Sequence, residues 1–319
     1  MNTNTTAPKI PVGISSCLLG EEVRYNGGHK RNAYIVQTLG DYFAFRPFCP
    51  EVAIGMGVPR EPVRLVRQGE DIRCVGTKDA TLDVTDSLIK CADEQQTWHR
   101  EIYGYILKKD SPSCGMERVK LYRGQHAERD AVGMYAQRLM RNFPNLPVEE
   151  EGRLGDAVLR ENFVQRIFIY YRWQTLLASG ATHDALCRFH AQHKMILMSR
   201  NQEMARALGR FLSEAADLAL DELCQEYGAR LTEILKIRAS RKNHVNVLQH
   251  IQGYLKRELD KDDKKELSES IEQYRLGLLP LIVPITLLRH HFRKNPNTYI
   301  EESFYMQPHP KELMLLNKL

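Results

Sequence analysis

Three cysteines stand where the chain changes direction: Cys17 in "ISSCLLG", Cys49 in "FCPEV" and Cys114 in "DSPSCG". Each has Pro, Gly or Ser close by, and each follows a short apolar run that reads as a strand. Three thiolates brought together suit a soft metal or an iron–sulfur cluster. Three protein ligands rather than four would leave one metal position open. The gaps between them are long and irregular, so spacing does not establish a site. Composition by itself favours three unrelated small buried thiols. Cys74, Cys91, Cys187 and Cys224 lie inside apparent strands or helices and read as small buried hydrophobes. Two oxygen-bearing side chains flank the three cysteines: Glu51 and Ser111. By residue type alone, Glu51 is a helix-start carboxylate behind Pro50 and Ser111 caps a turn.

The elements that must position these residues alternate. "KIPVGIS", "FAFRPF" and "YGYILKK" read as strands. "RNAYIVQTLGDYF", "DSLIKCADEQQTWHREI" (with Asp86 or Ser87 as N-cap) and "ERDAVGMYAQRLMRNF" have helical spacing. This rhythm predicts an α/β domain, a parallel sheet with flanking helices, over residues 1–150. Ligand sites of such sheets gather at the carboxyl ends of the strands, where all three cysteines fall. "NLPVEEEGRLG" then reads as a domain boundary. Beyond it strand patterns vanish, and helical stretches predict an all-α domain over residues 155–319: Asp156 to Ser179, His183 to Ser199, Gln202 to Leu235, Val245 to Leu259 and Lys264 to Leu279. His190 and His193 have metal-ligand spacing, but without a further ligand pair they read as helix-surface or partner-binding residues.

The 319 residues suffice for two domains. No run of eighteen apolar residues predicts a membrane span. "LGLLPLIVPITLL" (Leu276 to Leu288) is broken by Pro280 and Pro284 and reads as buried core. "MNTNTTAPKIP" lacks the basic and apolar parts of a signal peptide, so a cytoplasmic protein is expected. The formal net charge is +5. Residues 1–152 carry 20 Lys+Arg against 20 Asp+Glu, and residues 153–319 carry 25 against 20. The whole excess lies in the second half, which points to an anionic partner there.

"SSCLLGEEVRYNGGHKRN", "FCPEVAIGMGVPREPVRLV" and "KKDSPSCG", in that order, resemble the thiouracil desulfidase family (TudS-type) over about the first 150 residues. The resemblance implies a 4Fe-4S cluster held by Cys17, Cys49 and Cys114 with one open iron, and catalytic roles for Glu51 and Ser111. The implied chemistry is non-redox. The open iron takes a thiocarbonyl sulfur as a Lewis acid, water attacks the carbon, and Glu51 and Ser111 move or orient protons. In "RYNGGHKRN", Arg24, Tyr25 and Asn26 are candidates to close over the pyrimidine or a phosphate, and the same string also reads as a surface turn. "HAQHKMILMSRN", "NHVNVLQHIQGYLKREL", "IEQYRLGLLPLIVPITLLRHHF" and "QPHPKEL" resemble the YbgA-like helical domain. The fused pair resembles the tRNA 4-thiouridine desulfidases (RudS-type), which implies tRNA as partner and uridine and sulfide as products.

Two stretches of the second half hold no acid. Glu233 to Glu258 encloses Lys236, Arg238, Arg241 and Lys242, and Gln273 to Ile300 holds Arg289, Arg293 and Lys294. If both face one side they form a surface for a phosphate backbone. The sequence implies no membrane and no stable protein partner. Two other readings stand beside it: a desulfidase of free thiouracil or thionucleotides, and a non-catalytic iron–sulfur RNA-binding protein.

Overall fold

The computed structural model describes residues 8–124, 126–215, 217–310, 313 and 315. The first seven residues, and Lys311 and Glu312 of "QPHPKEL", lie outside them. The chain separates into two compact units, dividing between Asp156 and Ala157.

The first unit is α/β. Its strands are β1 (Ile10–Ser15), β2 (Phe43–Phe48), β3 (Val63–Gln68), β4 (Asp71–Gly76), β5 (Tyr105–Leu107), β6 (Val119–Arg123), β7 (His126–Ala131) and β8 (Val148–Glu150). Its α-helices are α1 (Ala33–Gln37), α2 (Pro50–Ala53), α3 (Thr85–Glu94), α4 (Gln96–His99) and α5 (Met134–Asn142). One sheet has the order β2-β1-β5-β8 and is parallel throughout. Its inner strands β1 and β5 are apolar and largely buried, as strands covered on both faces must be, whereas the edge strands β2 and β8 carry Arg46, Glu149 and Glu150. Register then fixes the site. Ser15 lies opposite Phe48, and Ile14 opposite Ile106. The chain therefore leaves β1, β2 and β5 at one edge, and the segments bearing Cys17, Cys49 and Cys114 start there.

A second sheet, β4-β3-β6-β7, is mixed. Sequence periodicity does not separate it from its surroundings. The β3–β4 hairpin turns at Gly69, whose φ of 62° suits glycine. β7 takes "HAERDA", so the helix expected from "ERDAVGMYAQ" starts only at Met134. Neither Asp86 nor Ser87 caps α3. The helix begins at Thr85, whose N–H and hydroxyl both donate to Asp83 Oδ1, at 2.9 and 2.6 Å. The run "VEEEG", expected as part of a linker, is largely strand β8, with Glu149 and Glu150 buried. Pairing with β5 overrides the charge of this run: Leu107 sits opposite Glu150.

The second unit is helical: α6 (Ala157–Ala178), α7 (His183–Arg200), α8 (Gln202–Glu214), α9 (Leu220–Lys236), α10 (Arg241–Gly253), α11 (Lys261–Leu276), α12 (Ile282–Lys294) and α13 (Thr298–Glu301). Thr182, Asn201, Ser240, Asp260 and Asn297 cap the amino ends of five of them. The cap at Ser240 starts α10 before the expected Val245, and that at Asp260 starts α11 before Lys264. The stretch Gln202 to Leu235 is two helices, since α8 ends at Glu214 with neither Pro nor Gly to mark the break. Pro284 sits in the first turn of α12, where a missing N–H costs little. Leu276 and Leu278 are 57% and 65% exposed, so that end of the apolar run is not core. Among the described residues no helix is long and apolar enough to cross a membrane.

Candidate functional site

Cys17 lies in a short 3-10 turn, Ser16–Leu18, directly behind β1. Its carbonyl accepts from Lys30 N at 2.8 Å, which ties in the "RYNGGHKRN" turn. Cys49 is the N-cap residue of α2. Cys114 sits on a loop fastened from several sides. Ser111 Oγ accepts from Ser113 N at 3.3 Å and Cys114 N at 3.1 Å. The first turn of α5 donates to Pro112 O and Ser113 O, and Gly133 N donates to Gly115 O at 2.8 Å. A Cβ at Gly133 would stand 2.6 Å from Ser113 O, so glycine alone allows this approach. The three glutamates of the β8 region hold the loop's far side. Glu151 pairs with Lys108 at 2.5 Å and accepts from Lys109 N at 2.7 Å. Glu150 accepts from Met116 N at 2.7 Å. Glu149 accepts from Arg153, which also pairs with Glu117.

All three thiols line one cavity of about 470 Å³, together with Glu51, Ser111, Ser113, Arg60, Arg24 and Tyr25. Burial pushes the Cys17 thiol up to about 11, against the pull of the Lys108 ammonium. Burial also raises Cys49, opposed by the Val52 N–H, and Cys114, opposed by the Ser113 hydroxyl. Cys17 and Cys114 each feel the charge of Cys49. Buried thiols of this kind become thiolates only when a cationic centre compensates them. Among the described residues no three His, Cys, Asp or Glu side chains converge as a single ion requires. Three soft sulfur donors on one cavity are the type of donor that an iron–sulfur cluster takes.

Glu51 is fully engaged. Arg60 donates Nε at 2.8 Å and Nη2 at 2.7 Å to Oε2, and Ser113 Oγ donates to Oε1 at 2.6 Å. This ion pair is largely buried, with side chains 5% and 13% exposed. Ser113 Oγ also lies 3.0 Å from Ser111 Oγ. Ser111 Oγ already accepts two backbone N–H groups, so its own hydrogen is the one that points to Ser113. The Ser113 hydrogen goes to the carboxylate, a better acceptor than the Cys114 sulfur at 3.6 Å. The result is a directed chain from Ser111 through Ser113 to Glu51. Arg60 and Ser113 are not singled out in the sequence. Ser113 stands inside the "SPSC" string, whereas Arg60 in "VPREP" carries no signal of its role.

Arg24 and Tyr25 border the cavity, with the Arg24 guanidinium 5.4 Å from the Tyr25 ring. Asn26 does not line it and instead accepts from Gly28 N at 3.2 Å within the turn. His190 and His193 are buried, not on the helix surface. His190 Nδ1 meets Tyr227 Oη at 3.2 Å and His193 Nδ1 meets Phe189 O at 2.7 Å. Cys74 and Cys91 are buried as expected, Cys224 is half-buried, and Cys187 is exposed on α7.

In the helical unit Lys236 pairs with Glu233 at 2.6 Å, one turn outside its acid-free stretch. Arg238, Lys242, Arg293 and Lys294 are exposed, and Arg241 and Arg289 half-buried. Among the described residues these six have no carboxylate within ion-pair distance.

Residues 12–151 match the family described as 2-thiouracil desulfurase, and residues 194–310 match one described as a protein of unknown function, DUF1722. The uncharacterized protein YbbK of Bacillus subtilis (strain 168) is 32% identical over 151 residues, 46% of this chain and 98% of its own. The uncharacterized protein YbgA of Escherichia coli (strain K12) is 28% identical over 151 residues, 47% of this chain and 89% of its own. A solved structure described as the 4Fe-4S-dependent thiouracil desulfidase TudS is 32% identical, covering 46% of this chain and 94% of that one, with a TM-score of 0.38. With the three cysteines and the carboxylate in place on one cavity, the chain belongs through its first unit to the 2-thiouracil desulfurase family, followed by a DUF1722 region.

Proposed function

We propose that the protein is an iron–sulfur-dependent desulfidase that converts 4-thiouridine in tRNA to uridine and sulfide. The observation that carries the chemistry is the Ser111–Ser113–Glu51 chain on the same cavity as three buried thiols. Cys17, Cys49 and Cys114 would hold a 4Fe-4S cluster. When bound, it would supply Lewis acidity toward a thiocarbonyl sulfur. The protein's own residues manage protons and position. Ser111, at the loop's cavity side, gives or takes a proton at a water or the pyrimidine ring. Ser113 passes it on, and Glu51 is the reservoir. Arg60 holds one carboxylate oxygen and leaves the other to Ser113. Arg24 and Tyr25 sit where a pyrimidine or its phosphate would enter, Tyr25 offering a ring face.

The tRNA assignment rests on the helical unit. Its exposed Arg238, Lys242, Arg293 and Lys294 lack acidic partners among the described residues, as phosphate-binding side chains do. The base would have to leave its stack to reach the cavity. One observation favours a second reading, free thiouracil as substrate: the cavity is formed wholly by the first unit and matches the size of small-molecule sites.

The test is anaerobic incubation of the iron-loaded protein with bulk tRNA, followed by nucleoside analysis and sulfide detection. Loss of 4-thiouridine with matching uridine and sulfide is expected. Charge reversal at Arg238, Lys242, Arg293 and Lys294 should weaken tRNA binding and flatten its salt dependence while leaving free thiouracil turnover intact. Turnover of free thiouracil with untouched tRNA would favour the second reading.

A further inference from the structure

A second cavity, of about 210 Å³, lies inside the helical unit, lined among others by Asn162, Gln165, Arg200, Arg241, His244 and Tyr274. Arg200 is 3% exposed. Its Nη1 donates to Leu235 O at 2.9 Å and Ile237 O at 2.7 Å, and its Nη2 donates to Gln165 Oε1. These partners are carbonyl oxygens, not carboxylates. Its Nε is buried and has no partner. A guanidinium held by neutral dipoles keeps its net charge, and an unneutralised buried cation is costly. Burial accordingly pushes Arg200 down to about 9, with Arg166 acting in the same sense.

Arg241 borders the same space. Among the described residues its partner is the Tyr274 ring, 5.5 Å away, and no carboxylate pairs with it. Its guanidinium rests against Gly277, where a Cβ would collide with Nη1. The cavity also meets the amino end of α10, a helix of 13 residues capped by Ser240, whose dipole adds positive potential. Glu161 lines the cavity as well and offsets part of this charge. Two guanidiniums against one carboxylate leave the lining positive.

We propose that this cavity is a subsite for a phosphate group, gripped between Arg200 and Arg241 at the start of α10. An anion there sets a negative charge beside a buried guanidinium that only neutral carbonyl oxygens hold. Two guanidiniums suit tetrahedral oxyanions, which they engage with paired N–H groups. The space is smaller than the roughly 300–1,000 Å³ of drug-sized sites, so it takes the phosphate and not the rest of a nucleotide. The phosphate comes either from a polynucleotide backbone or from a small phosphorylated compound. The assignment is independent of the desulfidase reading, since it draws on none of the first unit's residues.

Equilibrium dialysis of the full-length protein against radiolabelled inorganic phosphate tests it. Saturable binding at one site per chain is expected. Arg241→Gln should weaken it about tenfold or more with an unchanged thermal melt, because Arg241 is half-buried and supports no backbone carbonyl. Arg200→Lys, which keeps the charge and loses the fork, should weaken it too. Bulk tRNA that displaces the phosphate identifies a backbone source. Displacement by a nucleoside monophosphate and not by tRNA identifies a small phosphorylated compound. Absence of saturable binding, or wild-type affinity in Arg241→Gln, overturns the proposal.

Discussion

Ser113 has one hydroxyl hydrogen, and its surroundings offer a carboxylate oxygen at 2.6 Å and a thiol sulfur at 3.6 Å. The carboxylate takes it, which makes Ser113 the middle of the chain and Ser111 its outer end. Ser113→Ala should therefore keep the iron and its visible absorbance yet lower kcat by about a hundredfold, with KM little changed. Ser113→Thr should recover much of the loss. Turnover of Ser113→Ala at the wild-type rate would remove the relay from the mechanism. The sequence discloses the ends of this chain but not its middle. Cys17, Cys49, Cys114, Glu51 and Ser111 are legible because each sits in a short string of recognisable order. Ser113 and Arg60 are not, because their roles follow from how the loop folds back and from a contact between Arg60 and Glu51. The same holds for His193, whose spacing to His190 reads as a surface pair although Phe189 and Phe304 enclose its ring, with centroids 4.0 and 4.8 Å away.

Helices α7 and α10 bury titratable groups that an ordinary amphipathic helix would leave in water. Burial holds His193 and His244 down to about 3, from an ordinary value of 6.5. Above that ordinary value the folded and unfolded states are both neutral, so the full stability is present. Below it the unfolded chain binds protons that the folded unit refuses, and stability falls as pH drops through the window from about 6.5 toward 3. By about pH 5 the loss is roughly 2 kcal/mol per histidine. Urea melts of the full chain should show the helical unit weakening over this range, and His193→Phe should flatten the slope. A transition independent of pH would contradict it. Helix existence is readable from apolar spacing where a helix packs one stripe inward, as α8 does through Ala205, Leu208 and Leu212, whereas α7 is buried on every side from Met195 to Arg200. Its ends are less so: Ser240 and Asp260 are ordinary capping residues that the periodicity overlooks. The β3-β4-β6-β7 sheet is harder still, since parallel pairing of β3 with β6 links segments over fifty residues apart.

Each unit has its own buried core: one gathers Leu65, Cys74, Leu88 and Leu121, and the other Trp173, Tyr227, Leu248 and Phe292. A chain ending at Asp156 should therefore fold, keep its iron when prepared anaerobically and process free thiouracil, while acting poorly on tRNA. Equal activity of the short and full chains on tRNA, measured by loss of 4-thiouridine, would show that the helical unit does not supply RNA affinity. The charge asymmetry that first suggested an anionic partner for the second half appears in the helical unit as two positive features, the exposed Arg238, Lys242, Arg293 and Lys294 and a cavity at the start of α10. The β8 glutamates carry a further consequence, one of timing. Cys17 and Cys49 are made early, but the loop bearing Cys114 is fastened by Glu149, Glu150 and Glu151. During synthesis, which runs from the amino end at roughly 5–20 residues per second, this fastening is complete only after the last edge strand has emerged and paired with β5. If Cys17, Cys49 and Cys114 hold a cluster, a nascent chain stalled before Val148 would carry all three thiols with part of the Cys114 loop's fastening missing, and is expected to load iron poorly.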